Sequence, residues 1–231
     1  LTAAALIEGA GSMADMNTDG SVQDDLLSAR ESLALIERQQ REARRRLEPN
    51  VTLFFGPWGA AYLLGFGAIF LTYPTAVPVR LPGAVAALIT AVLFVAAAVI
   101  TAVTGARAGR GLRGPSRAAG AMYGWSWPLG FITLGAVNTG VTRLGLPDDA
   151  VTLLWSGSSL LLVGVLYLAG GALFQDRFQY GLGVWMMASG ACSVLAGVPG
   201  NFAVVSLAGG GGLLLAAGYF AQRHPRSSVA P

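Results

Sequence analysis

The chain has 231 residues, of which 54% are hydrophobic and only 12% charged, and its mean hydropathy is +0.58. That balance excludes an ordinary water-soluble domain of this length, and a formal net charge of +3 carried by unevenly spread arginines does not read as a nucleic-acid-binding face. A lone cysteine, Cys192, lies in an apolar run and excludes both a disulfide framework and a cysteine-rich metal site.

Residues 1–20 are expected to be disordered or expression-derived, since the first twelve end in a Gly-Ser step just before Met13. No arginine precedes this stretch as a secretory leader would require, and it is too short and too weakly apolar to span a bilayer.

Residues 21–48 read as a cytosolic amphipathic helix. Ser21 is a cap candidate, Asp24 and Asp25 complement the helix dipole in the first turn, and Arg44, Arg45 and Arg46 do so in the last. Glu37 with Arg41 and Glu42 with Arg46 stand four apart in the favourable order. Val22, Leu26, Ala29, Leu33, Ile36, Ala43 and Leu47 draw one apolar stripe that must be covered, by a protein partner, by a second copy, or by an anionic lipid surface gripped by the three arginines.

Pro49 ends that helix. Six uncharged stretches follow at about 51–73, 81–104, 120–141, 151–174, 179–197 and 200–221, each near the roughly 20 residues a bilayer needs. Lipid forces spans to be helices or closed barrels, and the alternation of a barrel is missing. The expected fold is therefore an all-α membrane domain over 49–221 with six transmembrane helices, followed by a tail at 222–231. The N-terminal segment, the connector at 105–119, Arg177 and the tail hold 13 of the 15 arginines, and only Arg80 and Arg143 fall on the other side. By the positive-inside rule both termini face the cytoplasm, in a bacterial inner membrane, with short outer links at 74–80, 142–150 and 198–199.

The three resulting hairpins look alike. Odd-numbered spans open on Phe55-Gly56, Tyr123-Gly124 and Tyr180-Gly181, followed by Trp58, by Trp125 and Trp127, and by Trp185. Small residues recur further on, at Gly65 and Gly67, at Thr133 and Gly135, and at Gly190 and Cys192, so a threefold internal repeat is expected, as in many transporters. The stretch "WGAAYLLGFGAIFLTYP" at 58–74 and the plan of "VWMMASGACSVLAGVPGNFAVVSLAGGGGLLLAAGYFA" resemble the short membrane repeat of the HdeD-type acid-resistance family. That resemblance covers about 51–221 and implies six spans in three hairpins and a role in acid stress. The middle hairpin departs from it at Pro128 and Asn138, and the N-terminal helix lies outside it. The whole chain is also similar to uncharacterised actinobacterial membrane proteins loosely labelled transporters.

No Asp, Glu, His, Lys or Arg lies in an expected span core, which argues against a carboxylate proton relay or a charged ion filter. Asn138, Thr139, Ser156, Ser158, Ser159, Ser189 and Ser193 do enter the spans, and with Trp127 and Trp185 they are the candidate cavity lining. The alternative is that the hydroxyls bond back to their own helices and across interfaces. Asn138 stands out because its amide needs more partners than its own helix offers. Ala208, Gly212 and Ala216, spaced four apart, and Ala98, Ala102 and Ala106 are candidate packing faces. Asp148 and Asp149 read as caps of the fourth span, and His224, the only histidine, has no ligand neighbours. No serine has a companion base, and neither a catalytic set nor a cofactor is expected. The expected role is a non-enzymatic membrane module that uses its N-terminal helix for partner, self or lipid contact; the alternative is a small permease or channel for a neutral or lipidic substrate.

Overall fold

The computed structural model describes residues 34–35, 51–74, 79–109 and 115–223. Compactness divides the chain into two units, 1–48 and 49–231. Of the first, only Ala34 and Leu35 are described, and both are helical, with Leu35 exposed. The expected contact residues Leu26, Leu33, Ile36, Arg44, Arg45 and Arg46 lie outside the described residues, as does His224.

The described residues of the second unit form helices joined by short links, with no strand among them. Its rods are α1 (Val51–Ala60, a π-helical turn Ala61–Phe66, and Gly67–Phe70), α2 (Gly83–Gly109), α3 (Pro115–Thr142), α4 (Asp148–Phe174), α5 (Arg177–Ala196) and α6 (Gly200–Val204, a π-helical turn Val205–Gly210, and Gly211–Arg223). Pro57 and Pro128 sit inside α1 and α3 without ending them. Three stretches, Gly83–Arg107, Asp148–Phe174 and Gly200–Gln222, are long and apolar enough to cross a membrane, and Phe54–Phe70 is a shorter apolar helix. The chemistry of the others explains why they stand apart. α3 carries Ser126, Thr133, Asn138 and Thr139, and α5 opens on Arg177, Gln179 and Tyr180, so the hydropathy of both is diluted although their lengths reach about 30 Å or more.

The ends of α4 differ from expectation. Pro147 occupies the cap position, and Asp148 and Asp149 fall in the first turn without a capping bond, acting only through the helix dipole. At the other end Gln175 takes a left-handed conformation (φ 56°), and the Asp176 amide returns to the Gly171 carbonyl at 2.8 Å. The Asp176 carboxylate then accepts from the amides of Phe178 and Gln179, at 2.9 and 3.2 Å, and so starts α5. Two residues thus reverse the chain.

That reversal allows α4 and α5 the most extensive helix pairing in the unit. Glycines make it close. A β-carbon on Gly164 would stand 2.9 Å from the Gly183 carbonyl oxygen, and one on Gly183 would stand 2.8 Å from the Gly164 carbonyl oxygen. Gly171 likewise faces the Tyr180 backbone nitrogen at 2.6 Å. A second seam joins α1 to α6, where Gly59 meets the Leu214 backbone nitrogen at 2.9 Å and Gly210 meets that of Leu63 at 2.5 Å. α2 packs on α1 and α3 on α4, and both keep most of their apolar side chains exposed, from Leu88, Val92, Val95 and Val99 to Met122, Trp125 and Ile132.

Aromatic rings fill the space that the glycines leave. Trp127 of α3 meets Tyr167 of α4 edge-on at 5.3 Å, Tyr167 meets Phe55 of α1 at 5.9 Å, and Phe55 stacks on Phe220 of α6, which meets Phe178 of α5 at 4.7 Å. A second chain runs from Trp58 through Phe94, Tyr62 and Phe66 to Phe202 and Tyr73. Offset and edge-on pairs of this kind add to area burial.

A leucine at Gly183 forces α4 and α5 apart, and we expect it to lower unfolding stability in detergent by about 1–3 kcal/mol or more, because the opposing atoms are backbone and cannot move aside. The same change at Gly135, where a β-carbon meets nothing within 4 Å, is expected to leave the melting temperature nearly unchanged. Parallel thermal melts of the two variants check both expectations.

Candidate functional site

The polar side chains converge on α4. Asn138 of α3 is 2% exposed, and its amide nitrogen donates to the Ser158 hydroxyl at 2.9 Å. From the other side Asn201 of α6, fully buried, donates to the Ser156 hydroxyl at 3.0 Å. Each serine gives its own proton to a carbonyl one turn back, Ser156 to Thr152 and Ser158 to Leu154, and is left as an acceptor for an asparagine. The two serines, two residues apart on one helix, therefore clamp two neighbouring helices.

The other expected lining residues scatter. Ser189 and Ser193 are buried on α5, where Ser189 donates to the Trp185 carbonyl and Ser193 to that of Gly190, both at 2.8 Å. Ser159 is half-buried and Thr139 is exposed. Trp127 belongs to the aromatic chain. Trp185 is 49% exposed, and its indole N–H donates to the Ala208 carbonyl at 2.9 Å while its ring lies against Gly212. The stripe Ala208, Gly212, Ala216 is thereby used within the unit, against α5 and the buried core. By contrast Ala98, Ala102 and Ala106 are exposed, and the face of α2 that meets α1 carries Ala86, Thr90, Phe94, Ala97 and Thr101 instead.

The paired π turns are a feature that sequence reasoning missed. They widen α1 and α6 where the two helices touch, and a π turn disturbs the regular i→i−4 ladder. Side chains from neighbouring helices reach the carbonyls there. Ser206 of α6 donates to Leu63 of α1 at 2.7 Å, Thr90 of α2 to Gly65 at 3.1 Å, and Trp185 of α5 to Ala208. Four helices are tied together through these bonds. Also missed were Asn201 and Ser206, which the sequence does display inside the sixth uncharged stretch, and the pair Tyr123 and Gln179. The Tyr123 hydroxyl donates to the Leu166 carbonyl and accepts from Gln179, both at 3.0 Å, next to Gly170.

A shallow cleft of about 190 Å³ opens at the α4–α5 reversal, lined by Gly171, Ala172, Gln175, Asp176, Arg177 and Tyr180. None of the expected lining residues borders it. No grouping of His, Cys, Asp or Glu among the described residues could hold a metal ion. No family model, curated protein or solved structure matches the chain.

The clamp makes a quantitative prediction. Ser158→Ala leaves the buried Asn138 amide nitrogen without an acceptor, whereas the double change with Asn138→Leu removes both partners, so a double-mutant cycle should return a coupling on the order of 1 kcal/mol. Unfolding titrations of the four proteins in detergent measure it.

Proposed function

We propose that the chain is a six-span integral membrane protein of the bacterial inner membrane, with both termini in the cytoplasm, and that it serves as a non-enzymatic assembly or stress-related module. Its N-terminal helix, residues 21–48, supplies the contact to a partner, a second copy or the lipid surface. The observation that carries this reading is how the buried polar groups are used. Asn138, Asn201, Ser156, Ser158, Ser189, Ser193 and Ser206 all donate into interhelical or intrahelical hydrogen bonds, which is what packing without a transport lining looks like. The apolar exterior of α2 and α3 supports a hydrocarbon surrounding, and rods α3 and α5 have the length to cross with the other four. Arginine placement supports the orientation. The three-hairpin repeat and the HdeD-type likeness support a stress-related role on sequence pattern alone.

Glycine environments bear on the repeat. Gly65 and Gly190, corresponding positions in the first and third hairpins, both make close contacts, with Thr90 and Leu160 respectively, while their counterpart in the second, Thr133, is exposed. The tightest helix pair, α4 with α5, also bridges two of the expected hairpins rather than lying inside one. The permease alternative draws on the same buried asparagines and would require them to face a continuous path.

Aspartates at Leu33 and Ile36 break the apolar stripe, and we expect them to abolish association measured by crosslinking and by co-purification from membranes. Association unchanged by both substitutions removes the basis of the module reading. In liposomes, uptake of a panel of neutral solutes is expected to match protein-free controls; flux that Asn138→Leu abolishes favours the permease instead.

A further inference from the structure

The reversal between α4 and α5 sets two charges of opposite sign in one recess and pairs neither of them. The Asp176 carboxylate accepts both capping amides, those of Phe178 and Gln179, on a single oxygen, Oδ1, and its second oxygen has no partner among the described residues. The Arg177 guanidinium likewise makes no hydrogen bond or ion pair among those residues. The two do not close on each other, because side chains at adjacent positions diverge where a helix begins. Both border the cleft of about 190 Å³ between the last turn of α4 and the first turn of α5.

What continues from the cleft along the bundle is apolar. Ala172 of α4 and Tyr180 of α5 line its wall. Val165 lies two turns from Ala172 and Val184 one turn from Tyr180, so each falls on the face of its helix that borders the cleft, and they are 45% and 51% exposed. Leu161, a further turn along α4, is exposed as well. A recess carrying one cation and one anion thus opens at the head of an apolar track.

We propose that this cleft binds the headgroup of a zwitterionic aminophospholipid, its phosphate on Arg177 and its ammonium on the free oxygen of Asp176, with an acyl chain laid along Val165 and Val184. The assignment rests on the reading that α4 and α5 cross a bilayer, which puts their connecting turn at the headgroups of the cytoplasmic leaflet. A guanidinium holds phosphate through paired N–H donors, and an ammonium gives a carboxylate a charge-assisted hydrogen bond. Headgroups of a single sign fit less well, since an anionic lipid is repelled by Asp176 and a free cation by Arg177. A choline headgroup has the right charges, but its quaternary nitrogen has no proton to donate to Asp176.

Native mass spectrometry of the full chain tests this, with protein released from nanodiscs made of equal parts phosphatidylethanolamine, phosphatidylcholine and phosphatidylglycerol bearing identical acyl chains. The wild type is expected to retain the ethanolamine lipid several-fold over the other two. Asp176→Asn keeps an oxygen to cap α5 but loses the charge, and is expected to shift retention toward phosphatidylglycerol; Arg177→Gln is expected to lower retention of the ethanolamine lipid. Equal retention of the three lipids by the wild type overturns the proposal, as does a preference that both folded variants keep unchanged. The wild-type comparison decides by itself if a variant does not fold. Free phosphoethanolamine that displaces the lipid at comparable concentration overturns the assignment to a lipid. A chain that stays monodisperse without detergent overturns the membrane reading itself, a result distinct from a bilayer protein that shows no headgroup preference.

Discussion

The reciprocal contact of Gly164 and Gly183, each with its α-carbon set against the other's carbonyl oxygen, is the constraint on which the arrangement of the bundle depends. Where a helix is surrounded by apolar solvent there is little hydrophobic drive for two helices to associate, so close backbone approach and the dispersion it permits must supply the attraction. Bringing α4 and α5 this near fixes their register. The register in turn puts Ser156 at the level of Ser193 and turns the serines of α4 outward to the asparagines of α3 and α6. A larger residue at either glycine would displace the polar clamp as well as the helix.

The polar groups obey a second rule that follows from the first. A hydroxyl in an apolar interior that bonds back to its own helix stops being a donor to its neighbours, and Ser156, Ser158, Ser189 and Ser193 all do this. Donors to other helices then come from the two asparagine amides, the Trp58 and Trp185 indoles, the Tyr123 hydroxyl and Ser206, while Thr90 shares its one proton between Ala86 of its own helix and Gly65 of α1. Ser206 reaches across to α1 because the π turn there presents the Leu63 carbonyl. The π turns and the donors that meet them are thus parts of one arrangement, in which irregular backbone occurs only where a neighbouring helix can satisfy it.

Much of this architecture was legible in the sequence because apolarity and length are averages, and averages survive ignorance of packing. The uncharged stretches forecast the rods to within a few residues at most ends, although α2 and α3 run further into their connector, and Asn138 was recognisable as an amide with too few local partners. What escaped was pairwise. In the run Gly209–Gly212 two glycines lie inside a π turn and Gly212 receives an indole ring, pairings that no local pattern announces. Ala98, Ala102 and Ala106 have the spacing of a packing face as plainly as Ala208, Gly212 and Ala216 do, but only the second is used within the unit, because a period of four residues names a face without naming what meets it. Asn201 was visible too. It stands inside the sixth uncharged stretch, but nothing in the sequence names Ser156 as the partner of its amide.

The two seams of closest backbone approach, α4 with α5 and α1 with α6, also bear on how the rods relate to the expected hairpins. Rotating one hairpin onto the next would carry each of these seams into the other and would require a third between α2 and α3. Among the described residues no comparable contact forms there. The residues that would have to make it are unsuited in a specific way: Gly124 and Gly135 of α3 face open space, and the exposed side of α2 is lined with valine and leucine that hold a neighbour at a distance. The surface that closes the other two seams is therefore missing from the third in the side chains themselves, which leaves α2 and α3 as outer rods, α2 packed on α1 and α3 mainly on α4, each with a few directed bonds. For α2 those bonds come from Thr90 and Thr101, and for α3 from Tyr123 and Asn138. A rod attached in this way owes its position to individual polar contacts, whereas α4 and α5 owe theirs to a continuous surface. The cost of losing one hydrogen bond should for that reason be felt most at the two helices that contribute least to the buried core.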